Sequence, residues 1–377
     1  MIQGNPFVIN GYRGPEYFCD RVEETALLTR HLTNGCNVAL ISPRRLGKSG
    51  LIKHTFAQEQ IKEHYHTFVI DIYETKNLNE FVYELGRGIF YALKSRGRKV
   101  WDKFFNLLLS LRQGISFDAA GVPEWNLSIG DIRQPDITLD EIFECLEQAD
   151  RPCLVALDEF QTVAEYPEKT VEAMLRTRIQ NCRNALFVFS GSKRHMMAEM
   201  FLTASHPFYQ SASVVGLSPI DEQAYYDFAS RHLLTVGKTI DREAFGHIYN
   251  RFDGITWYVQ YVMNILYTTD TEGNRITLGD AGMAIESIMH QQTLAYKSLL
   301  FQLSPKQKQL LLAISMGEKT RQVMSQKFLS KYNLSASSVQ NALKVLLDRD
   351  FITQDEDGYE VYDKFFGIWL RKFIINF

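Results

Sequence analysis

A short run in the sequence combines small, basic and hydroxyl side chains at a spacing that suits phosphate binding. The stretch VALISPRRLGKSGLI, residues 38–52, contains Gly47, Lys48 and Ser49, which match the end of the pattern G-x-x-x-x-G-K-[ST]. Ser42 stands where that pattern has its first glycine. Because this position needs a small residue, serine satisfies the size requirement at some cost in backbone freedom. The run therefore predicts a phosphate-binding loop.

The residue types in this loop divide the work of holding a nucleotide. Backbone N–H groups and the positive end of the following helix face the phosphates, Lys48 reaches the outer phosphates, and the Ser49 hydroxyl suits Mg²⁺. The alternative is a strand, turn and helix that reads Gly-Lys-Ser by chance. We expect the whole loop to contact nucleotide: Ser42, Pro43, Arg44, Arg45, Leu46, Gly47, Lys48, Ser49 and Gly50.

Two adjacent carboxylates follow an apolar run farther along the chain. RPCLVALDEF, residues 151–160, is a charged turn, an apolar strand and then Asp158 and Glu159. Ligands of open α/β sheets collect at the carboxyl ends of strands. We expect Asp158 to hold the Mg²⁺ shell and Glu159 to orient and deprotonate an attacking water. A strand that merely leads into an acidic helix start is the alternative.

A further apolar strand, residues 186–192, ends in Ser-Gly-Ser. Ser190 or Ser192 would be placed to sense the terminal phosphate or the water. The same three residues are also ordinary turn chemistry, so both interpretations stay open.

The elements around these motifs alternate between strand and helix patterns. Short apolar strands are expected at residues 38–41, 67–73 and 213–217, and helical spacing of apolar residues separates them. This alternation predicts a parallel sheet covered by helices on both faces. The sheet domain is expected to span residues 1–219, with a helix and hairpin inserted at about 97–135.

Beyond the last strand the patterns change twice. Residues 220–298 keep a helical period and predict a small helical lid domain. Residues 299–377 read as three helices followed by a strand, an Asp-Gly turn and a strand, which predicts a winged helix.

The winged helix allows two interpretations. In one, its third helix enters the DNA major groove and presents polar groups to the bases. In the other, which we favour, the domain packs as part of a nucleotide-dependent switch, because DNA readers usually carry denser basic faces. From Phe301 onward there are 11 Lys and Arg against 8 Asp and Glu, a mild excess. The outward polar residues of the presumed recognition helix are Ser337, Ser338, Gln340, Asn341 and Lys344.

The composition agrees with a globular protein in a reducing compartment. The 377 residues are 45% hydrophobic and 23% charged, with a net charge of -3, so no global excess of charge indicates a polyanion partner. Five cysteines show neither a C-x-x-C pair nor metal-ligand spacing. Without an apolar leader or a run long enough to span a bilayer, we expect a cytoplasmic protein with no membrane partner.

The order of motifs along the chain resembles that of the archaeal-type ATPase family, in the STAND branch of the AAA+ P-loop NTPases. The likeness is strongest to its bacterial ATP-binding members with the loop SPRRxGK[ST]. The motifs are YFCDRVEETALL, the loop itself, LDEFQ, SGSKRHMM, HPFYQSASVVGLSPI and FDGITWYVQYV. The resemblance implies an AAA+ P-loop fold with strand order 5-1-4-3-2, a helical lid and a C-terminal winged helix. It further implies that ATP and Mg²⁺ bind, with Phe18 and Arg21 near the base and ribose.

Two departures from the family pattern bear on rate. Gln210 and Ser211 replace a Gly-Arg pair, and Gly254-Ile255-Thr256 replaces Gly-x-Pro with no arginine at the start of the next helix. These departures imply an ATPase that is slow or needs a protein partner. Arg44 and Arg45 in the loop are candidate substitutes for the missing arginine, but loop arginines are more often solvated or bound to acidic neighbours, so both interpretations stay open. Near the end of the winged helix, Tyr362-Asp363 stands close to a motif that contacts nucleotide in such switches. The alternatives to a switch are an ATP-gated DNA-binding regulator and a non-hydrolysing scaffold.

Overall fold

The computed structural model describes residues 4–94, 135–317, 319–355 and 357–375. These residues form two compact units, the first up to His232 together with Asp253–Asn264, the second Leu233–Phe252 together with the chain from Ile265 onward. The predicted lid residues are thus divided between both units, and the three-domain division stays a prediction. The inserted helix and hairpin at about 97–135 lie outside the described residues, apart from Pro135, where a helix begins.

A five-stranded parallel sheet forms the centre of the first unit. The strands occur in the order β2-β3-β4-β1-β5, which confirms the expected order 5-1-4-3-2 read from the other edge. All four neighbouring pairs are parallel. The strands are β1 (Val38–Ile41), β2 (His66–Asp71), β3 (Cys153–Asp158), β4 (Ala185–Gly191) and β5 (Ser213–Gly216).

Helices cover the sheet on both faces, as the strand-and-helix alternation predicts. Val38 and Leu40 of β1 pack in one apolar cluster, whereas Ala39 between them packs in the other. Strand β3 does the same, since Leu154 and Val155 face opposite clusters. Successive side chains of a strand point to opposite faces, so near-continuous apolar runs are what a doubly covered strand requires.

The helices of the first unit follow in chain order. They are α1 (Val22–Thr33), α2 (Lys48–Phe56), α3 (Glu59–Lys62), α4 (Leu78–Lys94), α5 (Pro135–Glu147), α6 (Val171–Asn181), α7 (Arg194–Leu202) and most of α8 (Glu222–Leu234). The first nine residues of α10 (Thr256–Thr268) also belong to this unit.

The register of the sheet aligns the polar strand ends. Asp71 of β2 lies opposite Asp158 of β3, which in turn lies opposite Ser190 of β4. Ser190 lies opposite Leu40 of β1, two residues before the phosphate-loop pattern begins at Ser42. The parallel arrangement therefore delivers the loop and the carboxylates to one edge of the sheet.

The second unit contains α9 (Arg242–Arg251), α11 (Leu278–Phe301) and a short parallel pair of β6 (Thr239–Ile240) with β7 (Arg275–Ile276). A winged helix follows, as expected. It consists of α12 (Pro305–Ser315), α13 (Gln326–Lys331), α14 (Ala336–Asp348), an antiparallel hairpin of β8 (Ile352–Asp355) with β9 (Gly358–Val361), and α15 (Lys364–Leu370).

Serine caps fix where the winged-helix helices begin. The hydroxyls of Ser304, Ser325 and Ser335 each accept a hydrogen bond from a backbone N–H of the first helical turn. Such caps satisfy donors that a helix start leaves without intrahelical partners. Pro305 takes the first helical position of α12, where its missing N–H leaves no hydrogen bond unmade.

Candidate nucleotide site

The loop between β1 and α2 closes around its own lysine. The Nζ atom of Lys48 donates to the carbonyl oxygens of Ser42 at 2.9 Å and Pro43 at 3.0 Å. Gly47 and Arg45 adopt positive φ angles of 93° and 70°, so the backbone turns twice in a left-handed conformation before the helix starts. The turn leaves the ammonium buried against its own loop.

The electrostatic state of Lys48 follows from that burial. Desolvation lowers its pKa to about 8, while the nearby charges of Glu159 and Asp158 act in the opposite direction and Arg44 adds to the lowering. A cation that is partly deprived of water and lies beside two carboxylates is suited to exchanging its carbonyl partners for phosphate oxygens.

Ser49 in the first turn of α2 contacts Asp158 at the end of β3. The Ser49 hydroxyl donates to Oδ2 of Asp158 although the two residues are 109 positions apart in the sequence. A hydroxyl and a carboxylate are the hard oxygen ligands that Mg²⁺ prefers, and Mg²⁺ usually takes one or two protein ligands and fills its shell with water and phosphate. The donor set therefore fits Mg²⁺. Among the described residues, no cluster of three His, Cys, Asp or Glu side chains forms a protein-only metal site.

Glu159 is held by two hydrogen bonds to a single oxygen. Its Oε2 accepts from Nε2 of Gln161 and from Oγ of Ser192, both at 2.6 Å. The residue has a φ of 59°, a left-handed conformation that is uncommon for a residue with a side chain. Backbone strain of this kind concentrates at functional sites. The other carboxylate oxygen has no hydrogen bond to any residue of the described chain.

The two candidate sensor serines differ in what they contact. Ser192 follows β4 directly and joins Glu159 to Arg44, whose Nε–H donates to the Ser192 hydroxyl at 3.0 Å. Ser190 is fully buried in β4, beside Asp158 in the register, and its hydroxyl has no hydrogen-bond partner within the described residues. The structure therefore brings Ser192, rather than Ser190, to the carboxylate of Glu159.

A cavity of about 270 Å³ opens beside the loop. The lining includes every expected loop residue from Arg44 to Gly50, together with Phe18, Arg21 and Glu159. Ser42 and Pro43 are not among the lining residues but contribute the carbonyl groups that hold Lys48. The cavity also receives the start of α10 through Thr256, Trp257 and Gln260.

Phe18 belongs to an aromatic group at one side of this cavity. Its ring stacks on that of His54, with centroids 4.2 Å apart and planes 15° from parallel. Tyr12 approaches both rings edge-on and shares a 2.9 Å hydrogen bond with Nδ1 of His54. Burial lowers the pKa of His54 and raises that of Tyr12, so both groups favour their neutral forms. The group offers an apolar surface of the kind a purine base requires.

Arg21 lines the cavity but its guanidinium has structural partners. It donates to Glu24 at 2.6 Å, to the Ser218 carbonyl at 2.7 Å and to the Leu46 carbonyl at 3.2 Å. The residue is 4% exposed and has a φ of 64°. Arg21 thus ties the entry to α1 to the phosphate loop, and its expected contact with the ribose stays a prediction.

A third carboxylate lies at the same edge of the sheet. Burial raises the pKa of Asp71, with a smaller contribution from the negative charges of Asp158 and Glu159, while a hydrogen bond from the Tyr73 backbone acts in the opposite direction. The concentration of negative charge opposite Lys48 and Arg44 is what a site for a metal-bound polyphosphate needs.

The polar face proposed for DNA is exposed in the winged helix. The solvent side of α14 carries the four polar residues expected there, Ser337, Gln340, Asn341 and Lys344. Three cations next to the hairpin, by contrast, have acidic partners on the hairpin. Lys319 pairs with Asp355 and Asp357, Arg321 with Asp357, and Lys364 with Glu360 at 3.2 Å. Asp363 caps α15 by accepting from the Phe366 N–H at 3.0 Å.

Sequence reasoning missed three contributors to the site. Gln161 holds Glu159, His54 supports Phe18, and Trp257 of α10 contacts the loop through Arg45. Gln161 stands in the motif LDEFQ, where an amide two residues after a catalytic carboxylate is a usable signal. His54 and Trp257 carry no such signal, because their contacts arise only from tertiary packing.

Comparison with known proteins supports the fold. Residues 294–372 match a family model described as a probable winged helix domain. A Walker-type ATPase of Pyrococcus abyssi superposes with a TM-score of 0.64 at 18% identity, covering 97% of this chain and 99% of that one. The ORC2 protein of Aeropyrum pernix, in its ADPNP-ADP complexes, gives 0.58 at 14% identity, covering 97% of each chain. No curated protein sequence matches.

These likenesses establish the architecture. The chain has the AAA+ P-loop ATPase fold with a C-terminal winged helix, as expected from the motifs. Within the part of the chain that the structure describes, every helix is too short or too polar to cross a bilayer. None of the five cysteines takes part in a disulfide bond.

Proposed function

We propose that the protein is a Mg²⁺-dependent, ATP-binding AAA+ switch of the STAND type that hydrolyses ATP slowly. The observation that carries the proposal is a group of four residues at one edge of the sheet. Lys48 and Ser49 at the start of α2 lie near Asp158 and Glu159 at the end of β3. It lies beside a cavity that combines cationic loop residues with aromatic side chains. The cationic loop residues suit a phosphate chain, and the aromatic side chains suit an adenine base. The free thiols agree with a cytoplasmic location, which is part of the proposal.

In the binding step, the loop amides and Lys48 receive the phosphates. The ammonium exchanges its two loop carbonyls for phosphate oxygens, and the helix start of α2 adds its positive end. Ser49 and Asp158 would hold Mg²⁺, which when bound neutralises charge on the outer phosphates. Phe18, stacked on His54, supports the base.

In the chemical step, Glu159 accepts a proton from water. The water oxygen forms a bond to the terminal phosphorus, and the bond from that phosphorus to the bridging oxygen breaks with its electron pair on ADP. The water's proton passes to the Oε1 atom of Glu159, since Oε2 already accepts from Gln161 and Ser192. Phosphate and ADP leave, and the carboxyl returns its proton to solvent.

Slow hydrolysis suits a switch, because the ATP-bound conformation then persists long enough to act on a partner. One feature of the sequence supports a low rate. No arginine stands at the start of α10 to stabilise the charge that develops on the phosphoryl group. A protein partner that supplies such an arginine would accelerate the reaction.

The test of hydrolysis is Glu159→Gln. The amide cannot accept the proton, so turnover falls about 10²- to 10⁴-fold while ATP still binds. Phosphate release and ATP affinity are measured on the same samples, with and without candidate partners. Wild-type turnover no faster than that of the variant leaves a nucleotide-binding scaffold as the function.

The test of switching uses the same variant to trap ATP. Hydrogen exchange of residues 299–375 is compared between the ATP-loaded Glu159→Gln protein and the ADP-loaded wild type. A ligand moves a conformational equilibrium only through a difference in affinity for the two forms. Different exchange in the winged helix supports the switch, and identical exchange contradicts it.

An ATP-gated DNA-binding regulator is the second candidate. It is supported by the exposed polar face of α14, which includes Ser337, Gln340, Asn341 and Lys344, and by the match to a probable winged helix domain. The acid partners of Lys319, Arg321 and Lys364 favour the switch instead, because phosphate contacts would have to displace them.

A further inference from the structure

Four arginines line the cavity, and their surroundings differ. Arg13 lies in the amino-terminal segment, where its guanidinium approaches Gly4. Arg21 is buried among Glu24 and two backbone carbonyls. Each of these two therefore belongs to the part of the cavity formed by the start of the chain. The other two, Arg44 and Arg45, are neighbours within the phosphate loop.

Arg45 is bound to the start of α10. Its guanidinium carbon lies 4.6 Å from the ring centroid of Trp257 and 4.9 Å from that of Tyr258, and it donates a hydrogen bond to the Tyr258 hydroxyl. The Arg45 carbonyl accepts from the Trp257 N–H at 3.0 Å. Cation–π contacts on two rings fix this side chain against the helix. Arg45 thus connects the loop to α10.

Arg44 points to the opposite, carboxylate side of the loop. Its Nε–H donates to Ser192 Oγ at 3.0 Å, and the same hydroxyl donates to Glu159 Oε2 at 2.6 Å. The guanidinium carbon also lies 5.5 Å from the ring centroid of Tyr73. A chain of two hydrogen bonds through Ser192 therefore connects Arg44 to Glu159, the carboxylate to which the proton of water is assigned.

The charge of Arg44 also acts on Lys48. It is among the causes that lower the pKa of that ammonium, so the two cations face the same region. Hydrolysis spreads negative charge over the oxygens of the terminal phosphoryl group, and an arginine placed there stabilises the transition state. The planar guanidinium can keep Nε on Ser192 while its terminal nitrogens contact phosphate oxygens.

We propose that Arg44 is a further catalytic residue, which contacts the terminal phosphoryl oxygens of ATP during hydrolysis and stabilises their charge from within the same chain. This role rests on the proposed ATPase function. It assigns distinct tasks to neighbouring arginines: Arg44 serves the reaction, and Arg45 holds α10. No bond is made or broken at Arg44, whose contribution is electrostatic.

The test compares Arg44→Ala with Arg44→Lys and Ser192→Ala. We expect Arg44→Ala to lower kcat about 10²- to 10³-fold, as loss of a preorganised donor does elsewhere. ATP affinity should change by less than about threefold, because the contact strengthens in the transition state. Affinity for ADP with aluminium fluoride, which stands in for the transferring phosphoryl group, should fall in proportion to kcat. Arg44→Lys should recover at least about tenfold, since it keeps a charge.

Two controls separate this role from positioning and from folding. Arg87→Ala removes one positive charge from α4, outside the cavity lining, and should leave kcat unchanged. If Arg44 only orients Glu159 through Ser192, then Ser192→Ala lowers kcat as much as Arg44→Ala does. The double variant is then no slower than either single variant. That result overturns the catalytic role. We expect instead that Arg44→Ala lowers affinity for the fluoride complex in the Ser192→Ala background too.

The outcomes distinguish this inference from the proposed function. If the wild type hydrolyses ATP and Arg44→Ala matches it in kcat and in aluminium fluoride affinity, the role of Arg44 is wrong and the ATPase stands. If the wild type binds ATP without turnover, the hydrolysis step is wrong and the role of Arg44 fails with it.

Discussion

The ionic groups of the nucleotide site and of the winged helix are arranged on opposite principles. In the winged helix, Lys319 and Arg321 pair with carboxylates of the adjacent hairpin. At the sheet edge, the hydrogen bonds that Lys48 makes within the described residues all go to loop carbonyls, although Asp158 and Glu159 are near enough to influence its pKa. The first arrangement satisfies its charges within the domain. The second leaves the Lys48 ammonium without a carboxylate hydrogen bond among the described residues, as a site that must accept a polyphosphate requires.

This difference shows where ligand binding should be strong. Exposed ion pairs contribute little to stability, typically about 0 to 1 kcal/mol, but a cation that already has a carboxylate partner has less to gain from a phosphate. A buried cation without a carboxylate contact is costly until an anion arrives. We therefore expect nucleotide chemistry at the sheet edge and weak anion binding by the winged helix.

The largest effect expected from this comparison is that of Lys48→Ala. Removal of the ammonium leaves the phosphates without their buried cation, so ATP affinity should fall by at least about a hundredfold, roughly 2.7 kcal/mol. Isothermal calorimetry with Mg-ATP measures it. Ser42→Gly is the matched change in the same loop and should alter affinity by only about threefold. Unchanged ATP affinity in folded Lys48→Ala protein would contradict the assignment of residues 42–50 as a phosphate-binding loop.

A smaller, pH-dependent effect follows from the burial of Lys48. Its pKa of about 8 means that the free protein loses this charge as the pH rises through 8, whereas bound phosphates favour the protonated form. ATP affinity should therefore hold below pH 8 and fall above it, approaching about tenfold per pH unit. Proton uptake on binding should appear near pH 8 in buffers of different ionisation enthalpy.

Lys48→Arg is the control for this titration, since arginine stays charged across the range. Its ATP affinity, whatever its absolute value, should vary little between pH 7 and 9. A decline as steep as that of the wild type would assign the titration to another group.

The smallest effect is expected in the winged helix. Because Lys319, Arg321 and Lys364 are paired with carboxylates, we expect duplex DNA to bind only in the non-specific range. The Kd should be about 10⁻⁴ to 10⁻⁶ M at physiological salt, and Lys344→Ala should change it little. Fluorescence anisotropy at several salt concentrations measures it. The contrary result is a binding constant that falls steeply with salt concentration, with a log-log slope that Lys344→Ala reduces by about one unit. That result would favour the DNA-binding regulator.

The sequence predicts the sheet well because each strand carries its own signal. Leu154 and Val155 belong to an apolar run suited to a strand covered on both faces, and the loop after β1 has a pattern that few other structures require. The motif also specifies which residues meet at the sheet edge, and the structure brings Ser49 and Asp158 together. These features depend on local sequence, so they can be inferred without knowledge of packing.

The unpredicted parts depend on contacts between distant segments. Arg45 and Tyr258 are 213 positions apart, and nothing near either residue signals the other. The choice between Ser190 and Ser192 is similar, because it depends on where β4 ends relative to Glu159. The pairing of Lys319 and Arg321 with carboxylates of the hairpin also depends on the register of the hairpin, which places Asp355 and Gly358 opposite each other.

The strand order has a consequence for how the protein is made. β1 lies between β4 and β5 in the sheet. The first strand to be synthesised therefore pairs with the two strands of the sheet that are synthesised last. Contacts of such long sequence separation are slow to form, and the loop cannot meet Asp158 until more than a hundred further residues have been synthesised. Nucleotide that binds only the finished site stabilises only the finished unit, by an amount that grows with its concentration. Cellular ATP would thus act as a late selector of correctly folded chains.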